Sequence, residues 1–173
     1  MELWTDAMQG DRDAFGILFH RHYPLLFQYG SKICTDAAAV EDALQELFAE
    51  LWQRKKETEI ISVQAYLLQA LKYKLYKMYR KRHQQNGMEK AEEPFELSAE
   101  TFLIGQQEDA ERIQKVLAAL DSLPPRQKEI IYLKIYKGLS YEEISAAMGL
   151  NYQVVRNLLC QALKMFRKTN TTA

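Results

Sequence analysis

The sequence has little that breaks a helix: seven glycines and four prolines in 173 residues, which suits long helices. Cysteine is nearly absent. Cys34 and Cys160 lie 126 positions apart without a CxxC context, so a disulfide framework or a zinc site is not expected. No apolar stretch follows a basic start, so no signal peptide is expected. No run of about 18 apolar residues exists either, so no membrane insertion is expected and the chain reads as cytoplasmic. His20 and His22, two apart, point to different sides of a helix and cannot share a metal as an i, i+4 pair would. There is no P-loop, nucleophile motif or His/Cys cluster, and the carboxylates do not converge as a metal-dependent nuclease requires. Catalytic residues, metals and cofactors are therefore not expected, and the chain does not read as an enzyme.

Net charge is also lacking: 23 basic and 23 acidic residues cancel. Bulk charge predicts no partner, but its distribution does. Residues 1–85 carry a net +1, residues 86–107 a net −4, and residues 108–173 a net +3. Two near-neutral-to-basic blocks flank an acidic connector. The reading is all-α: a helical domain over 1–85, a linker over 86–107 and a second helical domain over 108–173.

The central stretch of the first block is Gln64–Arg82. As a helix it places Leu67, Leu68, Leu71, Leu75 and Met78 on one core-facing stripe. The opposite face carries Tyr66, Gln69, Tyr73, Tyr76, Lys77 and Arg80. Six Lys or Arg lie between Lys72 and Arg82 with no acid among them. Rings offer flat faces for unpaired bases, and cations follow phosphates. The same tyrosines could instead merely snorkel at a domain surface. Upstream, Asp11–Ile33 reads as helix, capped by Asp11 or Asp13 and interrupted near Pro24; Phe15, Leu18, Phe19, Leu25, Leu26 and Tyr29 face its core. From Asp36 a further helix buries Val40, Leu44, Leu47, Phe48 and Leu51. It turns Asp42, Gln45, Glu46 and Glu50 outward, as a solvated face or as a docking face for a basic partner. Residues 57–63 read as a loop that could hold one extruded base. The connector also holds Phe95, Leu97, Phe102 and Leu103, more than an inert tether needs.

In the second block, Ile113, Val116, Leu117 and Leu120 form a helical stripe. Leu123-Pro124-Pro125 ends that helix and opens another. The apolar run Ile130, Ile131, Leu133, Ile135 and Tyr136 comes next, stopped by Gly138. Ser140 and Glu143 form a capping box, Gly149 suits a tight inter-helix turn, Leu150 plugs that turn, and Asn151 can cap the next helix. Ile144, Ser145, Met148, Gly149, Leu150, Val155 and Leu158 fit one helix-turn-helix template. Inward residues of the second helix continue through Leu159, Ala162 and Phe166. Its outer face offers Gln153, Arg156 and Asn157 to base edges, with Lys164, Arg167 and Lys168 for phosphates.

A double-strand reader joined to a candidate single-strand face is what promoter opening needs. At these residues the sequence resembles the bacterial sigma-70 family, extracytoplasmic-function (ECF) group, whose members contain only the domains numbered 2 and 4. Asp42-Ala43-Leu44-Gln45-Glu46-Leu47-Phe48 with Leu51-Trp52 resembles the polymerase-clamp-binding helix. Ala65–Leu67 through Arg80–Arg82 resembles the −10 helix. Leu123–Gln127 and Gly138–Ile144 resemble the start of the −35 domain, and Val155-Arg156-Asn157 its recognition helix. The resemblance implies a sigma region 2-like helical bundle and a sigma region 4-like helix-turn-helix. It implies core RNA polymerase as partner, through the β′ clamp helices and the β flap, together with promoter DNA. An anti-sigma factor commonly accompanies such proteins. The sequence departs from the pattern at Tyr73, where many members have Asn, and at Leu158 and Gln161, where many have Arg. The competing reading is a helix-turn-helix regulator whose N-terminal part dimerises or senses.

Overall fold

The computed structural model describes residues 2–54, 60–85, 94–97 and 118–171; the side chains of 83–85 and 166–171 lie outside that description. Among the described residues the regular structure is helical, without strands. The chain forms two compact units, the first built mainly from its first four helices and the second mainly from the later helices. No helix among the described residues is long and apolar enough to cross a membrane.

The first unit begins with a helix that the periodicity does not predict, α1 (Glu2–Gln9), which buries Trp4, Ala7 and Met8 at helical spacing. Gly10 turns the chain at φ 102°, in the left-handed region that favours glycine. Asp11 then caps α2 (Arg12–Ile33), its carboxylate accepting from the Asp13 and Ala14 N–H groups. The expected interruption at Pro24 does not occur: α2 runs straight through it. Pro24 is exposed, as is His20, whose carbonyl loses its helical donor, and water can replace that bond. Asp36 precedes α3 (Ala37–Arg54), accepting from the Ala39 N–H at 3.2 Å. The predicted stripe of Val40, Leu44, Leu47, Phe48 and Leu51 is buried throughout. Ser62 caps α4 (Val63–Gln85) through the Ala65 N–H at 3.1 Å.

Each helix contributes a face to one core. Leu18, Leu26 and Tyr29 from α2 meet that core with Leu67, Leu68, Leu71 and Leu75 from α4, all essentially inaccessible. Each such side chain contributes roughly 1.5–3 kcal/mol by leaving water. Phe15, Phe19 and Leu25 are only half-buried. Phe15 and Phe19 instead join α2 to α3 by edge contacts, Phe15 to Trp52 at 5.1 Å and Phe19 to Phe48 at 4.8 Å.

In the second unit a helical stretch over 118–121 ends at Leu123, which is buried with Ala119 and Leu120. The predicted stripe positions Ile113, Val116 and Leu117 lie outside the described residues, as do Phe102 and Leu103. Pro125 opens α5 (Pro125–Ile131), which widens into a π-helical turn over Tyr132–Tyr136, closed by the Lys137 N–H on the Tyr132 carbonyl at 3.0 Å. Ile131, Tyr132 and Leu133 are buried in succession, while Ile135, a member of the same apolar run, is exposed. From the connector, Phe95 and Leu97 are buried, with Phe95 set 5.8 Å from the Tyr132 ring. Gly138, at φ 68°, leads to α6 (Tyr141–Met148). The capping box forms in both directions: Ser140 Oγ accepts from the Glu143 N–H at 3.1 Å, and Glu143 Oε2 from the Ser140 N–H at 2.9 Å. Gly149 turns at φ 63°, and Asn151 Oδ1 accepts from the Val154 N–H at 2.9 Å to open α7 (Tyr152–Thr171).

Gly30 is where α2 comes closest to its neighbours. A Cβ there would lie 2.7 Å from Val40 Cγ1 and 3.4 Å from Leu71 Cδ2 and Leu75 Cδ1. Gly30→Ala gains about 1 kcal/mol of helix propensity but overpacks a stiff branched neighbour, at about 1–3 kcal/mol. Urea unfolding should show net destabilisation. In a Val40→Ala background the same substitution should become stabilising; equal effects in both backgrounds would show that the contact does not limit packing.

Candidate nucleic-acid interface

The face of α4 behind its leucine seam carries the candidate single-strand residues. Tyr73 stands out, 71% exposed, with Gln69, Lys77 and Arg80 also exposed. Tyr66 is half-buried, its ring edge-on to Trp4 of α1 at 5.4 Å. Tyr76 does not belong to this face. It is 7% exposed, and the expectation that it points outward is corrected. Helix α4 packs against both α2 and α3, so the arc it must bury is wider than one row of leucines. Ala65, three turns earlier on the same side, is also fully buried. One turn before Tyr76, the Lys72 ammonium lies 5.4 Å from the centroid of its ring. Of the candidate aromatic platforms, then, Tyr73 is open, Tyr66 half-open and Tyr76 closed.

A groove of about 690 Å³ separates α3 from this face. Glu46, Glu50 and Arg54 line one wall; Tyr66, Gln69, Tyr73, Lys77 and Lys81 line the other. Asp42, Gln45, Glu46 and Glu50 are all exposed on α3, as their spacing requires. Two of them are already paired within the molecule. Lys74, which no sequence pattern singles out, places its Nζ 2.6 Å from Glu50 Oε1 and 3.5 Å from Glu46 Oε2. The lysine's hydrogen bond holds the Glu50 carboxyl below the usual carboxylate range, with its charge and those of Arg54 and Lys77 adding to the effect. No local periodicity predicts this pair, because it joins separate helices 24 residues apart. At the far end of α4, Arg82 lies 3.8 Å from Asp36. His20 is exposed, whereas His22 is half-buried and its pKa is lowered by that burial and by the Arg21 charge. Among the described residues no three His, Cys, Asp or Glu side chains converge as a metal site would need.

In the second unit, α7 buries Val155, Leu159 and Ala162, and Leu158 is half-buried; Phe166 lies outside the described side chains. The predicted base readers Gln153, Arg156 and Asn157 are all exposed, as is Lys164. Arg167 and Lys168 fall within α7, but their side chains lie outside the described residues. Gln153 Nε2 donates to Asn157 Oδ1 at 3.0 Å, so these two amides form one linked pair on the outer face. Gln161 accepts from Gln127 of α5 at 3.2 Å, which ties it to the domain. Tyr152, at the start of α7, is exposed and leans on Tyr141, whose ring the Lys134 ammonium covers at 4.7 Å.

Residues 18–85 match the family "Sigma-70 region 2", and residues 113–166 match "Sigma-70, region 4". The chain belongs to the sigma-70 family, in its extracytoplasmic-function group. It is 23% identical over 173 residues to the ECF RNA polymerase sigma factor SigK of Mycobacterium ulcerans (strain Agy99), spanning 95% of this chain and 90% of that one. Identity to RNA polymerase sigma factor SigV of Bacillus subtilis (strain 168) reaches 39%, but over 66 residues, 38% of this chain and 40% of SigV. Two solved structures share the fold. One is CnrH in complex with the cytosolic domain of CnrY, with a TM-score of 0.62 and 22% identity, covering 99% of this chain and 97% of CnrH. The other is the sigma factor RpoE in complex with the anti-sigma factor NepR from Bartonella quintana, with a TM-score of 0.62 and 21% identity, covering 91% and 97%. This sigma factor thus carries an exposed ring, Tyr73, in its region 2 unit and, in its region 4 unit, exposed amides that include Gln153 and Asn157.

The unequal burial of the two tyrosines has a direct consequence for stability. Tyr76→Ala should cost about 3–5 kcal/mol, as truncation of a buried aromatic does. Tyr73→Ala should stay within about 0.5 kcal/mol of wild type. Thermal or urea unfolding of the two variants checks this; similar losses would place both rings in the core.

Proposed function

We propose that this sigma factor binds core RNA polymerase, reads −35 and −10 promoter elements and holds open the melted strand, acting by binding rather than by covalent chemistry. The observation that carries the reading is Tyr73, an open ring bordered by exposed Lys77 and Arg80 on a helix whose other side is a leucine core. In this reading residues 1–85 take the −10 strand and the polymerase. Tyr66, Gln69, Tyr73, Lys77 and Arg80 face the strand, and Asp42, Gln45, Glu46 and Glu50 face cationic clamp helices of the β′ subunit. Residues 86–107 connect the domains along the RNA exit path. Residues 108–173 bind the −35 duplex, with Gln153, Arg156 and Asn157 at base edges and Lys164, Arg167 and Lys168 on phosphates. Apolar surface around 113–136 meets the β flap. The site of action is the cytoplasm, where the polymerase works. That the sigma factor RpoE was solved in complex with the anti-sigma factor NepR supports looking for such a partner here.

Base–aromatic stacking contributes about 1–3 kcal/mol per base. Tyr73→Ala should therefore lower promoter opening about 5- to 150-fold, read by permanganate footprinting of the melted strand, with core polymerase binding retained. An unchanged footprint would remove the stacking role. Glu46→Lys with Glu50→Lys should weaken co-elution with core polymerase, and undiminished co-elution would remove the docking role. A regulator that used its helix-turn-helix alone would not co-elute with core polymerase at all.

A further inference from the structure

Lys74 sits where the two proposed faces of region 2 meet. Its side chain is 15% exposed, whereas those of Glu50 and Glu46 are 48% and 70% exposed. The cation is sheltered and its two anions look outward. Along α4, Lys74, Lys77 and Lys81 recur at three- and four-residue spacing, so they form one row, and all three line the groove beside Tyr73. Two members of that row point at solvent, while Lys74 is turned across the groove to α3.

We propose that Lys74 is a shared ion that couples polymerase docking to single-strand capture. In the unbound chain it neutralises the α3 carboxylates that a cationic partner needs, and in doing so withholds one cation from the strand-binding row. A basic surface arriving on Glu46 and Glu50 repels the Lys74 ammonium and satisfies its counter-ions. The flexible four-carbon stem then returns that charge to the row beside Lys77 and Lys81. The coupling is reciprocal: a phosphate that draws Lys74 away uncovers the glutamates for the partner. This inference rests on the proposed faces of α3 and α4 but adds a residue to neither. It assigns Lys74 the link between them.

Two binding measurements on the full chain test it. The first titrates core RNA polymerase with wild type, Lys74→Met, Lys74→Gln and the Glu46→Lys/Glu50→Lys double variant. Both Lys74 variants should bind more tightly, by about 5-fold, because Glu46 then loses the Lys74 cation and Glu50 keeps only the looser pairing with Arg54 at 3.9 Å, and the charge reversal should bind more weakly. If charge reversal weakens binding but the Lys74 variants match wild type or bind worse, the shared-ion role is wrong and the docking face stands. If charge reversal has no effect, the docking face itself is wrong. A difference between the Met and Gln variants would assign the effect to packing and overturn the proposal.

The second measures fluorescence anisotropy of a labelled mixed-sequence single-stranded DNA with the polymerase absent. Glu46→Gln/Glu50→Gln should raise affinity about 5-fold when Lys74 is present, a gain that shrinks with added salt. In the Lys74→Met background most of that gain should vanish. An equal gain in both backgrounds would mean that the glutamates act only through their bulk field, and the proposal would fall. Absence of strand binding in every variant would sink the single-strand face together with it.

Discussion

The close approach at Gly30 sets the geometry of region 2. With no side chain there, Val40 of α3 and Leu71 and Leu75 of α4 all come up to the α2 backbone. That contact fixes how far α4 can rotate about its own axis. Rotation decides which residues between Tyr66 and Arg80 see water, because a helix that buries four leucines on one side has few ways to present the rest. The exposed ring of Tyr73 and the sheltered ring of Tyr76 are both consequences of that packing, which precedes any contact with DNA or polymerase.

Features that depend on neighbours in sequence are legible in the chain alone. The capping box of Ser140 and Glu143, the left-handed Gly149 and the cap at Asn151 are local devices, each needing only a few residues to recognise, and each forms. The buried stripes of α3 and α4 likewise come from a single period. Sequence patterns mislead where the deciding partner lies on another element. Periodicity misplaces Tyr76 because it locates the centre of a buried arc and not its width, and α4 has two neighbours. Pro24 does not interrupt α2 because a proline ends a helix only when the lost bond cannot be made good, and here it faces water. In sequence Lys74 is one more cation in a basic helix, and its counter-ions belong to α3.

A formal charge of zero conceals a molecule whose charges are sorted by element. On α3 the outward acids form the polar face, and on α4 the outward cations do. Exposed ion pairs such as Arg82 with Asp36 contribute little to stability, under about 1 kcal/mol, since both partners remain hydrated. Their charges are therefore open to exchange with a partner at little structural cost. The same reasoning separates Glu46 and Glu50 from the leucines behind them. The leucines hold the fold whatever the carboxylates do, so the face can gain or lose ionic partners without unfolding the unit.

Region 4 reaches its target by a different balance. Helix α7 carries few cations along its described outer surface, Arg156 and Lys164. Each phosphate contact adds to salt-dependent, sequence-independent affinity, so a helix with fewer of them draws less from that term. In the proposed reading more of its discrimination comes from base-edge hydrogen bonds, and there the linked amides of Gln153 and Asn157 matter. A bond already made between them restricts both side chains before DNA arrives, so less rotamer freedom is lost on binding. It also occupies one donor and one acceptor. The pair must therefore meet a base with its remaining atoms, or exchange the internal bond for one to the base edge. Either route would make Gln153 and Asn157 act together as the proposed readers, with the charge of Arg156 between them in sequence.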